Sequence, residues 1–136
     1  MRSPTRHFAT AYAVAAGVFL LLDAVWLTTM ASRLYRPAIG HLMRPDFDLT
    51  AAALFYTLYL LGIVVFVVRS AQSSGQAFAR GALFGLICYA TYDLTNQATL
   101  KVWATHITII DITWGTFLTA TGATVGGWVL RRLSRA

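Results

Sequence analysis

The sequence predicts an all-α integral membrane protein, a bundle of four transmembrane helices that forms one domain of 136 residues. Hydrophobic residues make up 57% of the chain and charged residues only 12%, roughly half the charged fraction of soluble domains. Four Trp and six Tyr suit the aromatic belts that lie at the headgroup level of a bilayer. The net charge of +6 comes from arginines between apolar runs and at both ends. This placement is typical of membrane flanks, and nucleic-acid binding is not predicted.

The first transmembrane span is predicted at residues 8–30, an apolar run that contains a single charge, Asp23. At about 1.5 Å per residue, such a run can cross a hydrocarbon core of about 30 Å. A secretory signal peptide is the rival interpretation, because a basic segment precedes the run. The apolar pattern continues past Asp23 to Trp26 and Leu27 without a small-residue cleavage site, which favours a permanent anchor.

The segment between the first two spans is predicted to be the longest loop of the chain, Ala31 to Leu49. Apolar residues between Pro37 and Pro45 recur at helical spacing, which predicts a short helix lying at the membrane interface. The second span follows at residues 50–68. A turn rich in Ser, Gln and Gly then occupies residues 69–80 and must be solvated.

The third and fourth spans are predicted at residues 79–100 and 107–130. Both contain glycines at small-xxx-small spacing, which allows a neighbouring helix to approach closely. The pairs are Gly81 with Gly85 and Gly122 with Gly126. They predict close packing inside the bundle or against a second copy or a partner helix.

The distribution of Lys and Arg predicts the orientation of the bundle. Of the 11 such residues, seven lie in the N-terminal segment, the second loop and the C-terminal segment, and four lie on the opposite side. Both termini are therefore predicted to be cytoplasmic.

The third span carries a concentration of polar side chains that is unusual for a membrane helix. Tyr89, Asp93, Asn96 and Gln97 fall on one helical face, because residues three and four apart are neighbours. In the predicted topology, three further polar residues lie at a similar depth, roughly 6 to 11 Å below the outer face. They are Asp23, Tyr56 and Asp111. All four helices are therefore predicted to contribute to one polar layer.

Two interpretations of this layer remain open from the residues alone. Intramembrane carboxylates usually mark functional sites, which predicts a pocket that binds or passes a small polar molecule, a proton or a lipid headgroup. Asp93 would be its central anion, Asp23 and Asp111 would support it, and Tyr89 and Asn96 would donate hydrogen bonds. The structural interpretation is a buried hydrogen-bond network that locks the bundle.

Other classes of function rank below a binding site. A membrane-embedded enzyme that modifies lipids would need a nucleophile, a metal or a cofactor, and the sequence has no motif for nucleotides, haem or metal ions. A structural subunit would use the glycine faces to dock a partner. No cofactor is predicted, and membrane lipids are the expected surroundings.

Three segments together resemble a known family. They are Tyr89 to Leu100 (YATYDLTNQATL), Asp111-Ile-Thr-Trp114-Gly115 and Asp23-Ala-Val-Trp26-Leu27. They are similar to the bacterial membrane-protein family called domain of unknown function 2177, and the similarity extends over nearly the whole chain. The resemblance implies a small four-helix protein of the bacterial cytoplasmic (inner) membrane. It brings no catalytic residues with it.

Overall fold

Helices account for nearly all of residues 4–136, the part of the chain that the computed structural model describes. No strand occurs in this range, so the predicted all-α class is confirmed. The α-helices are α1 (Pro4–Met30), α2 (Arg36–Ile39), α3 (Leu49–Gly62), α4 (Ser74–Thr99) and α5 (Thr105–Arg135). A π-helical turn, Ala31–Tyr35, joins α1 to α2, and a second one, Ile63–Val68, extends α3. Each predicted span thus falls within, or nearly within, one of four long helical stretches.

The segment after the first span differs from the predicted loop, because the helix continues without a break from Pro4 to Leu42. Pro37 lies at the beginning of α2, directly after the π-helical turn, and the chain stays helical across it. The side chain of Tyr35 is also held by a hydrogen bond from Trp26 Nε1 at 2.9 Å. The irregular part of the loop is therefore short and carries the highly exposed Phe47.

Side-chain caps define the beginnings of α3 and α4. The carboxylate of Asp48 accepts a hydrogen bond from the Ala51 N–H at 3.0 Å, and the hydroxyl of Ser73 accepts one from the Gln76 N–H at 3.1 Å. Such caps satisfy backbone donors that have no partner within the helix. Because Ser73 provides a cap, α4 begins at Ser74, five residues before the predicted start of the third span.

Helix α5 is the centre of the bundle and packs against α1, α4 and the π-helical end of α3. The glycines at small-xxx-small spacing lie in these contacts: a Cβ on Gly85 would stand 2.6 Å from the Gly115 carbonyl oxygen on α5. A Cβ on Gly126 would stand 2.9 Å from the Cβ of Ala15 on α1. Close packing by small residues is thus used inside this chain. Docking of a partner or second copy at these positions stays a prediction, and one helix of this chain would have to give way to it.

The outer surface of the bundle is strongly apolar. Large hydrophobic side chains point outward from every long helix, among them Leu21, Phe66, Leu83 and Phe117. By length and composition, the helical stretches Pro4–Leu42 and Leu49–Val68 can each cross a membrane. Helices α4 and α5 contain more Gly, Thr and polar residues. Their crossing stays a prediction that their outward apolar side chains favour.

Candidate functional site

Asp23 joins three helices through its two carboxylate oxygens. It is buried on α1 and accepts a hydrogen bond at Oδ2 from the Tyr56 hydroxyl of α3. Its Oδ1 accepts a second one from Trp114 Nε1 of α5 at 3.2 Å. Both oxygens are therefore satisfied, and Asp23 acts as the acceptor of a local network.

Asp111 forms a second, parallel network. The Tyr35 hydroxyl donates a hydrogen bond to Asp111 Oδ1, and Trp26 Nε1 donates one to the same hydroxyl. The rings of Trp26 and Trp114 stack on each other with centroids 4.4 Å apart and planes 6° from parallel. The two stacked tryptophans thus connect the two networks, because Trp114 donates to Asp23 and Trp26 donates to the tyrosine hydroxyl that bonds Asp111.

Asp93 differs from Asp23, which is also buried, and from Asp111, which is half-buried. Its side chain is fully buried on α4 and lies beside Asp111 of α5, one helical turn along the two packed helices from the contact of Tyr89 with Gly115. Neither of its oxygens has a hydrogen-bond donor among the described residues. An ionised carboxylate only accepts hydrogen bonds, so two such groups side by side cannot bond each other unless one carries a proton.

No basic side chain neutralises these aspartates within the described part of the chain. The ion pair found in residues 4–136 joins Arg44 and Asp48 at 3.5 Å, in the exposed segment before α3. Over the same residues, no group of three or more His, Cys, Asp and Glu side chains is arranged to hold a metal ion. The site is therefore a set of buried and half-buried aspartates with aromatic hydrogen-bond donors and no basic counter-charge among the described residues.

The remaining polar residues of α4 lie in different surroundings. The Tyr89 ring packs directly on Gly115, where an added Cβ would come within 2.2 Å of it, and it makes an edge contact with Tyr59. Asn96 is half-buried and does not bond Asp93, whose oxygens are both without a partner. Gln97 is exposed and donates to the Thr105 hydroxyl at 3.4 Å. The structure thus packs Tyr89 against α5 and Tyr59, and it leaves Tyr89, Asn96 and Gln97 outside the hydrogen-bond networks of the carboxylates.

Sequence reasoning missed three members of the site, Tyr35, Trp26 and Trp114. Tyr35 was not predicted because the sequence placed it in a loop. In the structure it lies in the helical segment after α1, and its hydroxyl donates to Asp111. The two tryptophans had a signal, since each follows an aspartate by three residues, Asp23 and Asp111 respectively. That spacing puts Asp and Trp on one helical face.

The structure is thus a helical bundle with an apolar outer surface and with polar side chains buried between its helices. A family model described as "Predicted membrane protein (DUF2177)" matches residues 8–128, which is most of the chain. The chain belongs to this family, and the resemblance noted from its motifs is confirmed. Comparisons with curated proteins and with solved structures find no match.

Proposed function

We propose that the protein binds and releases a proton at the Asp93–Asp111 pair, within a polar layer near the outer side of a bacterial cytoplasmic membrane. One observation carries the proposal: Asp93 is fully buried against a second carboxyl group and has no hydrogen-bond donor. A buried charge without a partner raises the free energy of the folded state, and the binding of a proton neutralises that charge.

A shared proton suits the chemistry of this pair. With one proton between them, one carboxyl group donates a hydrogen bond and the other accepts it, and a single negative charge remains. Tyr35 then stabilises that charge on Asp111 through its hydroxyl. Carboxyl groups that face a bundle interior serve as proton relays in many membrane pumps and transporters.

The arrangement around Asp93 favours a proton over a larger guest. Two grooves of the described surface lie elsewhere, one between the ends of α1 and α5 and a shallow one along Ile87 to Thr99 on α4. Asp93 lines neither groove. Asp23 is already saturated by Tyr56 and Trp114, which leaves Asp93 and Asp111 as the groups that gain most from a proton.

Infrared difference spectroscopy of the protein in lipid vesicles tests the proposal directly. We expect a band of a protonated carboxyl group that disappears reversibly as the pH is raised from about 5 to about 9. In the Asp93→Asn variant this band should be lost, because the amide cannot exchange a carboxyl proton. Asp48→Asn, which alters an exposed carboxylate, serves as the matched control and should keep the band. A wild-type spectrum without such a band would refute the proposal.

The orientation of the bundle is part of this proposal, since it puts the carboxylates near the outer face and both termini in the cytoplasm. In a Cys88→Ser background, we expect a membrane-impermeant thiol reagent to label Gly40→Cys in whole cells. Gln72→Cys, next to the cap residue Ser73, should react only after permeabilisation. The reverse labelling pattern would invert the orientation and leave the four spans intact.

A further inference from the structure

Acidic side chains lie toward one end of the bundle only, whereas basic side chains occur at both ends. All five acidic residues lie toward the end that contains the carboxylate pair; they are Asp23, Asp46, Asp48, Asp93 and Asp111. At the other end, the charged side chains among the described residues are all basic. They are Arg6, Arg69, Arg80, Arg131, Arg132 and Arg135. The basic end therefore has no protein carboxylate side chain of its own to balance it.

A groove of about 1040 Å³ opens at this basic end. It lies between the beginning of α1, the residue that follows the π-helical end of α3, and the last turns of α5. The polar part of its lining consists of His7, Arg69 and Ser134. The apolar part consists of Phe8, Leu130 and Leu133. A groove with a cationic side chain and an apolar wall is complementary to a molecule that has an anionic group and an apolar chain.

Arg69 is the arginine that lines this groove. Its guanidinium group lies over the Phe8 ring at 5.8 Å and has no hydrogen-bond acceptor within residues 4–136. Arg80 donates to Ser70, and Arg131 donates to Ser74. Arg69 thus presents its donors to whatever occupies the groove, and a guanidinium group is well suited to hold a phosphate with two parallel hydrogen bonds.

We infer that the groove of Arg69, His7, Phe8 and Leu130 binds an anionic phospholipid, with its phosphate at Arg69 and an acyl chain along the apolar wall. Charge complementarity supports this occupant, because this end carries six arginines and no acidic side chain among the described residues, and anionic headgroups attract such a cluster. Position supports it as well, since the groove lies at the end of an apolar bundle, where headgroups meet the protein surface. The site is separate from the carboxylate pair and does not depend on the proposed proton binding.

Native mass spectrometry and thermal unfolding in detergent test this site with phosphatidylglycerol as the probe and phosphatidylcholine as the neutral comparison. We expect wild-type protein to bind phosphatidylglycerol in preference and to unfold at a higher temperature in its presence. Arg69→Gln should weaken that binding about tenfold, the effect of losing a charge-assisted hydrogen bond. Arg132→Gln is the matched control, because it removes the same charge at the same end from an arginine that lies over Trp128 and does not line the groove.

The outcomes separate the occupants. Selective loss in Arg69→Gln, with binding kept in Arg132→Gln, supports a defined lipid site. Equal loss in the two variants would show a diffuse effect of net charge and overturn the inference. Equal binding of the two lipids by wild type would overturn it too, and so would stabilisation by inorganic phosphate that matches stabilisation by phosphatidylglycerol.

Discussion

Gly115→Ala and Gly85→Ala are each expected to lower the free energy of unfolding by about 1–3 kcal/mol, the usual cost of overpacking a closely packed contact. The methyl group at position 115 would come within 2.2 Å of the Tyr89 ring, and the one at position 85 within 2.6 Å of the Gly115 carbonyl oxygen. Neither contact can relax unless α4 and α5 move apart or Tyr89 leaves its place. Gly115→Ala should therefore also disturb the Asp93–Asp111 pair, which lies one helical turn away.

The matched control for both variants is Gly17→Ala on α1. An added Cβ at Gly17 would meet nothing within 4 Å, so only the higher helix propensity of alanine, worth up to about 1 kcal/mol, should be felt. Unfolding of the three variants in mixed micelles, followed by circular dichroism, measures the difference. If Gly85→Ala and Gly17→Ala unfold alike, α4 and α5 do not approach as closely as the structure shows.

The long helices could be predicted from the sequence because each is a long apolar run with recognisable ends. Asp48 and the Ser-Gln-Gly turn before α4 are local signals, and both act within a few residues of a helix terminus. The continuation of α1 to Leu42 could not be predicted in the same way. It depends on Tyr35 reaching Asp111, a contact between residues that are 76 positions apart.

The carboxylates of the site were visible in the sequence because charge inside an apolar run is rare. Their division of roles was not visible, since it depends on which helix faces which. Helical spacing groups Asn96 with Asp93, yet the structure leaves the Asp93 oxygens without a partner and Asn96 half-buried to one side. The same spacing gives no hint that Asp23 receives two donors from two other helices.

This division of roles predicts opposite stability changes for two chemically identical substitutions. Asp93→Asn should raise the free energy of unfolding by about 1–3 kcal/mol near neutral pH, the order of magnitude for an unpaired buried polar group. The amide is nearly isosteric, removes the unpartnered charge and can donate a hydrogen bond to Asp111, which lies beside it. Asp23→Asn should lower the free energy of unfolding by a similar amount. Tyr56 and Trp114 both donate to the Asp23 carboxylate. The amide has one acceptor oxygen for these two donors, and both lose the stronger hydrogen bond to a charged acceptor.

The comparison of these two variants separates a functional carboxylate from a structural one. A buried carboxyl group that is needed for proton binding should lower the stability of the fold. Its replacement should therefore raise the free energy of unfolding and remove the titrating carboxyl band. Unfolding in mixed micelles at neutral pH, measured on Asp93→Asn and Asp23→Asn side by side, gives the sign for each. Asp93→Asn should also lose its advantage below the ordinary carboxyl pKa, where the unfolded wild-type chain is protonated as well and folding no longer requires the uptake of a proton. A destabilised Asp93→Asn protein would mean that this carboxylate holds the bundle together through bonds it makes when ionised, and the proton site would have to be sought elsewhere.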